Sequence, residues 1–508
     1  MISTVKSCGI FGSDAYIADV ETDTANGLPS FDIVGLPDAA VKESKERVRA
    51  AIKNCGFELP SKKYTVNLAP ADTKKEGPSF DLPIAISLLR STGQLKAETD
   101  GYIFLGELSL SGEIRPVRGV LPAVAGAKDK GFKSFIVPEQ NAYEASLSGD
   151  ISVFGAKTLS DVVEHLNGNT PIMPTVTDID TLFKEKGVYD VDFAEVKGQE
   201  TVKRVLEIAA AGGHNCLIIG PPGSGKSMLA QRLPTILPDL TVQEALEVTK
   251  IHSIAGTLDS ENPLVTVRPF RSPHHSISTV GLVGGGSMAR PGELSLAHNG
   301  VLFLDELPEF RRDATEVMRQ PIENGVVTIT RAAASCTYPC NTMLVAAMNP
   351  CRCGYFGDSS GRCKCSARSI SSYLSRISGP LLDRIDLQIE AANPTYNQLH
   401  SAPAESSAQI RERVVAARKI QLDRYKELGI FCNASLSGKY IEQFCVLTDE
   451  ANDIIKHAFE SIGLSARAYS RLLKVARTIA DLEGCERIEA LHIAEAIQYR
   501  SLDKKYGM

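Results

Sequence analysis

Three short, wholly apolar runs mark the middle of the chain, and each is followed by polar or glycine-rich sequence. The runs cover residues 216–219, 301–304 and 343–347. Four or five consecutive apolar residues are typical of strands buried on both faces, as in parallel sheets covered by helices. Because helix-like stretches alternate with these runs, the pattern predicts a doubly wound parallel sheet in an α/β domain over residues 191–395.

The flanking regions show different patterns. Residues 1–170 alternate strand-like runs (64–68, 102–104, 134–137) with helix-like stretches such as 39–54, which predicts a separate α/β domain. Residues 171–190 begin with two prolines and little apolar periodicity, which is typical of a linker. Beyond residue 395 the strand signals fade, and 408–428, 451–462, 465–482 and 488–501 all have helical periodicity. Residues 396–508 are therefore predicted to form a helical C-terminal lid.

Composition adds few constraints. The 508 residues are 43% hydrophobic and 23% charged, as expected of a globular protein, and the formal net charge is −6. This charge does not favour a surface that is basic throughout, although a local basic channel remains compatible with it. We expect a cytoplasmic protein without a membrane partner, because no run reaches the roughly 18 to 20 apolar residues of a membrane span and the N-terminus lacks a signal-peptide core.

A glycine-rich loop directly follows the first apolar run. Its glycines allow the backbone N–H groups to surround phosphate oxygens. Lys226 can reach the β and γ phosphates of ATP, and Ser227 can bind Mg²⁺. The loop is predicted to bind nucleotide through Gly220, Pro221, Pro222, Gly223, Ser224, Gly225, Lys226 and Ser227.

The other two apolar runs end in polar residues suited to phosphate chemistry. Asp305 and Glu306 follow the second run, where Asp305 is predicted to hold Mg²⁺ and Glu306 to polarise the attacking water. Asn349 follows the third run and is predicted to sense the γ phosphate. An asparagine after a strand is, however, also a common turn residue.

Two arginines could act on nucleotide from a greater distance. Arg384, within the sequence Leu-Leu-Asp-Arg-Ile-Asp, fits an arginine finger that reaches the γ phosphate of a neighbouring subunit, which requires a ring. The alternative is an ion pair with Asp383 or Asp386. Arg467, at the start of a predicted lid helix, could report nucleotide to the lid, and Arg471 one turn later is its rival.

Four of the twelve cysteines are clustered within fifteen positions. They form two Cys-x-Cys pairs, and four thiolates could complete a tetrahedral zinc site. Reduced thiols or a disulfide are the alternatives, and Cys336 with Cys340 could supply another pair. The predicted zinc ligands are Cys351, Cys353, Cys363 and Cys365.

The order of these motifs resembles that of an AAA+ ATPase. The segments 268–276 (Arg-Pro-Phe-Arg-Ser-Pro-His-His-Ser), 284–286 and 290–298 are similar to those of the magnesium-chelatase-like YifB/ComM family. Over nearly the whole chain, the resemblance implies an N-terminal domain like that of Lon proteases, an AAA+ core with an insertion in its second helix, and a helical lid. It further implies a hexameric ATP-driven DNA motor that promotes branch migration during transformation and recombination.

Two other functions remain open. A protein-remodelling ATPase would use the N-terminal domain to dock substrates. A Lon-like serine protease would use Ser79, but the later matching stretch 112–126 lacks the lysine that would accept the serine proton. If single-stranded or branched DNA threads a ring, the predicted contacts are Arg331 at a hairpin turn and the tip of an insertion at His274 and His275.

Overall fold

A computed structural model describes residues 2–184, 189–259, 261–286, 289–330, 335–358, 361–400, 404–462, 465–500 and 502. No helix within these ranges is long and apolar enough to cross a membrane.

The N-terminal part is built on a mixed seven-stranded sheet. A long antiparallel pair, β1 with β2, lies at its centre, and helices cover the sheet. The strands of this part are β1 (Ile2–Phe11), β2 (Asp14–Ala25), β3 (Ser30–Val34), β4 (Lys63–Ala69), β5 (Tyr102–Phe104), β6 (Glu107–Leu108), β7 (Ile114–Arg115), β8 (Ser134–Pro138) and β9 (Ser152–Ala156), of which β6 and β7 form a separate antiparallel pair. The helices are α1 (Ala39–Asn54), α2 (Asp81–Ser91), α3 (Val120–Asp129), α4 (Ala142–Ser146), α5 (Leu159–Leu166) and α6 (Ile179–Lys184). The sheet order is β3-β4-β2-β1-β5-β8-β9.

Helix α6 lies inside the segment that the sequence predicted to be a linker. Its residues Ile179, Leu182 and Phe183 pack against a small apolar cluster that includes Leu121 and Leu240. The prediction rested on the two prolines at the start of the segment, and it overlooked the apolar residues farther along that a short helix can bury.

The central part contains a wholly parallel five-stranded sheet in the order β11-β14-β17-β10-β18. The strands of this part are β10 (Cys216–Ile219), β11 (Phe270–Arg271), β12 (Gly284–Gly285), β13 (Arg290–Pro291), β14 (Val301–Leu304), β15 (Val326–Thr330), β16 (Ser335–Pro339), β17 (Met343–Met348) and β18 (Leu387–Glu390). The helices are α7 (Glu200–Gly212), α8 (Lys226–Arg232), α9 (Val242–Ala255), α10 (Thr279–Val283), α11 (Glu293–Leu296), α12 (Arg312–Val317), α13 (Arg319–Asn324), α14 (Ala367–Leu374) and α15 (Gly379–Leu382). Every residue of β10, β14 and β17 is buried, which confirms the predicted parallel sheet.

The C-terminal part is helical, as predicted. Its helices are α16 (Tyr396–Leu399), α17 (Ser407–Tyr425), α18 (Gly438–Phe444), α19 (Asp449–Ile462), α20 (Ala466–Leu482) and α21 (Ala490–Gln498). Helices α17 and α20 pack on α7 and share one apolar core with strand β10. The helical part is therefore held against the parallel sheet that carries the glycine-rich loop.

The N-terminal part docks on the central part at two places. Helix α3 packs against α9, where the Gly119 N–H donates to the Ser253 carbonyl at 3.1 Å. At the second place, the Ser13 hydroxyl donates to the Thr337 carbonyl of the β15–β16 hairpin at 3.2 Å.

Candidate nucleotide-binding site

The predicted nucleotide-binding residues meet at one edge of the parallel sheet. Strands β10, β14 and β17 are neighbours and run in the same direction, so the segments after their carboxyl ends emerge side by side. These segments line a cavity of about 360 Å³. Its lining includes Pro222, Gly223, Gly225, Lys226, Ser227, Asp305, Glu306 and Asn349.

The backbone of the glycine-rich loop takes the conformation that a phosphate-binding loop requires. Gly223 and Gly225 have φ values of +81° and +82°, in the left-handed region that glycine adopts without a Cβ clash. The Ser224 hydroxyl is buried and has no hydrogen-bond partner among the described residues. The turned backbone fits a polar ligand such as a nucleotide phosphate, whereas Ser224 is not part of the described lining of the cavity.

Lys226 is held within this loop by three oxygens. Its ammonium group donates to the carbonyls of Gly220 at 2.8 Å and Pro221 at 2.9 Å, and to Oδ1 of Asn349 at 3.2 Å. Burial lowers the pKa of Lys226, while the charges of Asp305 and Glu306 act in the opposite direction. A phosphate oxygen would supply an anionic partner for this partly desolvated cation.

The two predicted magnesium-binding residues are in direct contact. The Ser227 hydroxyl donates to Oδ2 of Asp305 at 2.5 Å. A hydroxyl beside a carboxylate is the kind of oxygen pair that Mg²⁺ uses in phosphate-transfer sites. These residues therefore fit a magnesium ion that arrives with nucleotide.

Glu306 has an unusual backbone and one side-chain partner that the sequence did not indicate. Its φ is +54°, which is uncommon for a residue other than glycine and often occurs at functional sites. Its Oε2 lies 3.5 Å from Nδ1 of His275. The sequence placed His274 and His275 at an insertion tip with no acidic residue close by in sequence. The structure adds a partner for His275 that lies 31 positions along the chain.

Arg384 and Arg467 line a second cavity, away from Lys226. Arg384 forms an ion pair with Glu323 and donates to the Pro380 carbonyl at 2.7 Å, so the expected alternative partners Asp383 and Asp386 do not hold it. The described lining of the Lys226 cavity contains no arginine. The second cavity is also lined by Arg471, the predicted rival of Arg467, and by Lys474, which no sequence motif indicated.

Asp386 pairs with other residues than Arg384. Its carboxylate lies 3.4 Å from Nδ1 of His214 and 3.5 Å from Nε of Arg471. Burial would raise the pKa of Asp386, but the adjacent His214 imidazole, together with the charges of Arg471 and Lys474, holds it below its ordinary value. Asp386 thus helps to orient Arg471 in the second cavity.

The four clustered cysteines come together in space. Sγ of Cys351 lies 3.3 Å from Sγ of Cys353 and 3.8 Å from Sγ of Cys363. The sulfurs of Cys353 and Cys363 are 3.7 Å apart. Cys365 belongs to the same group, in which all sulfurs lie within 4.8 Å of one another. Ligands of a tetrahedral zinc ion with Zn–S bonds of about 2.3 Å would be about 3.8 Å apart. The cluster therefore fits zinc.

The alternative cysteine pair does not join this cluster. Cys336 lies in β16 with its thiol directed to the Ala289 carbonyl, and the Cys340 thiol is directed to the Pro321 carbonyl. Both side chains are buried among apolar residues, where burial raises the pKa of each thiol. They act as core residues.

The cysteine cluster touches the glycine-rich loop. A Cβ added to Gly354 would lie 2.5 Å from Cδ of Pro222, so the Gly354 backbone lies directly against the Pro222 ring. Arg352, between two of the cysteines, lines a cavity that adjoins the nucleotide cavity through Glu306 and Asn349. The cluster is therefore positioned to support the nucleotide site.

The predicted DNA contacts are placed only in part. Strands β15 and β16 form the predicted hairpin, with Thr330 opposite Ser335. Arg331 lies outside the described residues. His274 is exposed, and its ring lies 4.0 Å from that of His275.

Comparison with known proteins identifies the family. The chain matches the family described as subunit ChlI of Mg-chelatase over residues 20–141, magnesium chelatase subunit ChlI over 192–399, and the ChlI C-terminal family over 404–500. Competence protein ComM of Haemophilus influenzae is 45% identical over 507 residues, which cover 99% of this chain and 98% of that protein. YifB of Escherichia coli is also 45% identical over 507 residues, which cover 99% of this chain and 98% of that protein.

A third relative, an uncharacterized protein of Mycobacterium tuberculosis, is 42% identical over 496 residues, or 97% of each chain. The similarities thus extend over the glycine-rich loop, the cysteine cluster and the C-terminal helices. Family membership and the residues around Lys226 together support an ATPase role that uses ATP and Mg²⁺. The chain belongs to the YifB/ComM family of magnesium-chelatase-like proteins.

Proposed function

We propose that this protein is an ATP-driven hexameric motor that acts on single-stranded or branched DNA and promotes branch migration during natural transformation and recombination. One observation supports a hexameric ring: Arg384 and Arg467, the two arginines predicted to act on nucleotide from a greater distance, line a different cavity from Lys226. A site completed by a neighbouring subunit explains this separation. The role in DNA uptake is supported by the 45% identity to a relative named competence protein ComM.

In this proposal, each residue at the sheet edge has a distinct task. Lys226 exchanges its carbonyl partners for phosphate oxygens, and Ser227 and Asp305 hold Mg²⁺, which supplies charge neutralisation when bound. Glu306 accepts a hydrogen bond from the attacking water and draws its proton. Asn349, already within reach of Lys226, contacts the γ phosphate.

The second cavity would receive the γ phosphate of the neighbouring subunit. Nε of Arg384 and Nη1 of Arg471 are buried and have no hydrogen-bond partner among the described residues. Burial also lowers the pKa of Arg471 and of Lys474. Partly desolvated arginines with free N–H donors can bind an incoming anion in addition to their present partners, so Arg384 would serve as the finger, with Arg467 from the lid beside it.

We also propose that the cysteine cluster holds a structural zinc ion through its four thiolates. The ion would fix the loop that contacts Pro222 and carries Arg352. Metal analysis of the purified protein should find about one zinc per chain, as expected for a single four-thiolate site. A metal-free protein with normal ATP turnover would contradict this assignment.

We propose the domain boundaries from the family membership and the sequence pattern. Residues 1–170 would be the Lon-like domain, 171–190 a connection, 191–395 the AAA+ core and 396–508 its lid. Ser79 of the first domain lines a cavity of about 410 Å³ at the junction with the central part. Arg118 and Arg290 line it too, but its described lining includes no lysine, so the base that a serine protease needs is not supplied there.

The decisive experiment is the steady-state ATPase rate of the purified chain with and without single-stranded and branched DNA, at two salt concentrations. Stimulation that falls with salt would support the DNA motor, because phosphate contacts release counterions. Intact basal turnover that responds to unfolded protein and not to DNA would refute it in favour of a protein-remodelling ATPase.

A further inference from the structure

The segment around His275 is unexplained by the function proposed above, yet it ends beside the catalytic centre. Strand β11 pairs in parallel with β14, with Phe270 opposite Val301 and Arg271 opposite Leu302. The segments that leave the two strands therefore emerge at the same sheet edge. His275 lies four residues beyond β11, and Glu306 lies two residues beyond β14.

The contact between them concerns the carboxylate itself. Nδ1 of His275 is 3.5 Å from Oε2 of Glu306. Among the described residues, no other side chain lies within ion-pairing or hydrogen-bonding reach of that carboxylate. Polar contacts in a ligand-free active site are often longer than in the working complex, so this spacing is compatible with a hydrogen bond during turnover.

His275 is better fixed than Glu306. The segment that carries it is anchored by Arg271, whose guanidinium donates to both carboxylate oxygens of Glu293 at 2.7 and 2.8 Å. The imidazole ring also packs edge-on against buried Phe310, with ring centroids 6.5 Å apart. The Glu306 side chain, in contrast, is 55% exposed and can rotate about three bonds.

We propose that His275 is a positioning residue for Glu306: it restrains the carboxylate in the orientation from which it polarises the attacking water. His275 neither touches nucleotide nor transfers the proton. Its effect is to reduce the number of Glu306 rotamers, so that more of the bound ATP meets a correctly oriented base. This inference rests on the proposed role of Glu306 and adds a residue to that site.

The test compares His275→Ala, His275→Asn and Glu306→Gln, with His457→Ala as a control. His457 is an exposed histidine on α19, outside the site. His275→Ala should lower kcat about tenfold, because orientation is lost while the base remains, and leave the Kd for ATP unchanged. His275→Asn should regain most of the loss, since its amide nitrogen can take the position of Nδ1. His457→Ala should behave as the wild type.

A double variant separates positioning from a general structural effect. If His275 acts through Glu306, then adding His275→Ala to Glu306→Gln should cause no further loss of kcat. Independent losses that multiply, or a weakened Kd for ATP in His275→Ala, would overturn the inference. A normal kcat in His275→Ala, together with an inactive Glu306→Gln, would refute the positioning role of His275 but not the catalytic role of Glu306. Full turnover in Glu306→Gln would refute both roles.

Discussion

The contact between the cysteine cluster and the glycine-rich loop can be tested with one added methyl group. Gly354 has a φ of +85°, and its added Cβ would lie 2.5 Å from Cδ and 2.7 Å from Cγ of Pro222. Gly354→Ala should therefore displace Pro222 and weaken ATP binding. The matched control is Gly361→Ala in the same loop, because Gly361 has a φ of +64° but no atom of the described residues within 4 Å of its added Cβ.

The two variants share one destabilising effect and differ in another. Both place an alanine in the left-handed region, which costs about 1–2 kcal/mol. Only Gly354→Ala also forces a close contact, which costs about 1–3 kcal/mol in a packed region. If the glycine-rich loop takes up that strain, the Kd for ATP rises by about five- to 150-fold relative to the control, since about 1.4 kcal/mol corresponds to a factor of ten.

The assay is titration of each variant with a fluorescent ATP analogue, together with its metal content. The expected result is a raised Kd in Gly354→Ala alone, with the metal content of the two variants equal. Equal Kd values would refute the reasoning. A normal Kd with loss of metal from Gly354→Ala would also refute it, because the cysteine loop would then yield while the glycine-rich loop stays in place.

Four further variants test the nucleotide site and its surroundings. Lys226→Ala should abolish binding of the ATP analogue, whereas Glu306→Gln should bind it normally and lower kcat by about 10²–10⁴-fold, and equal defects in both assays would contradict these separate roles. Arg384→Ala should lower kcat by about 10³-fold or more without a change in the Kd for ATP. Mixing Arg384→Ala with Glu306→Gln should restore turnover at those subunit interfaces that contain a wild-type Arg384 and a wild-type Glu306. No recovery would exclude action of Arg384 between subunits. Because the pKa of Asp386 is held below its ordinary value of 3.8, its contribution to stability is present above that pH and is lost as the pH falls further. Urea unfolding should therefore show a steeper loss for the wild type than for Asp386→Asn in this range, and parallel curves would disprove the prediction.

The sequence predicted which residues meet at the candidate nucleotide site because its signals are local. The apolar runs at 216–219 and 301–304 coincide with β10 and β14, and the polar residues that follow them meet at one sheet edge. The periodic helices of the C-terminal part were likewise predicted from local pattern. Strands β1 and β2 were not among the predicted strands, because polar residues such as Lys6 and Asp19 alternate with the buried ones and interrupt any apolar run.

Contacts between distant segments could not be predicted. His275 lacks an acidic neighbour in sequence, and only the parallel pairing of β11 with β14 brings it to Glu306. The ion pair of Arg384 with Glu323 likewise joins residues far apart in the chain, whereas the predicted alternatives were adjacent acids. Pairings of this kind depend on strand order, which neither periodicity nor motif spacing encodes.

The position of β11 has a consequence for local unfolding at the sheet edge that carries the candidate nucleotide site. It is the outermost strand of the sheet, and only two of its residues pair with β14, whereas β10 lies between β17 and β18 with four paired residues on each side. Short edge strands detach at a lower free energy than interior ones. The amide hydrogens of β11 should thus exchange with solvent well before those of β10. Each detachment of β11 would release the segment that carries His275, while the glycine-rich loop after β10 stays folded.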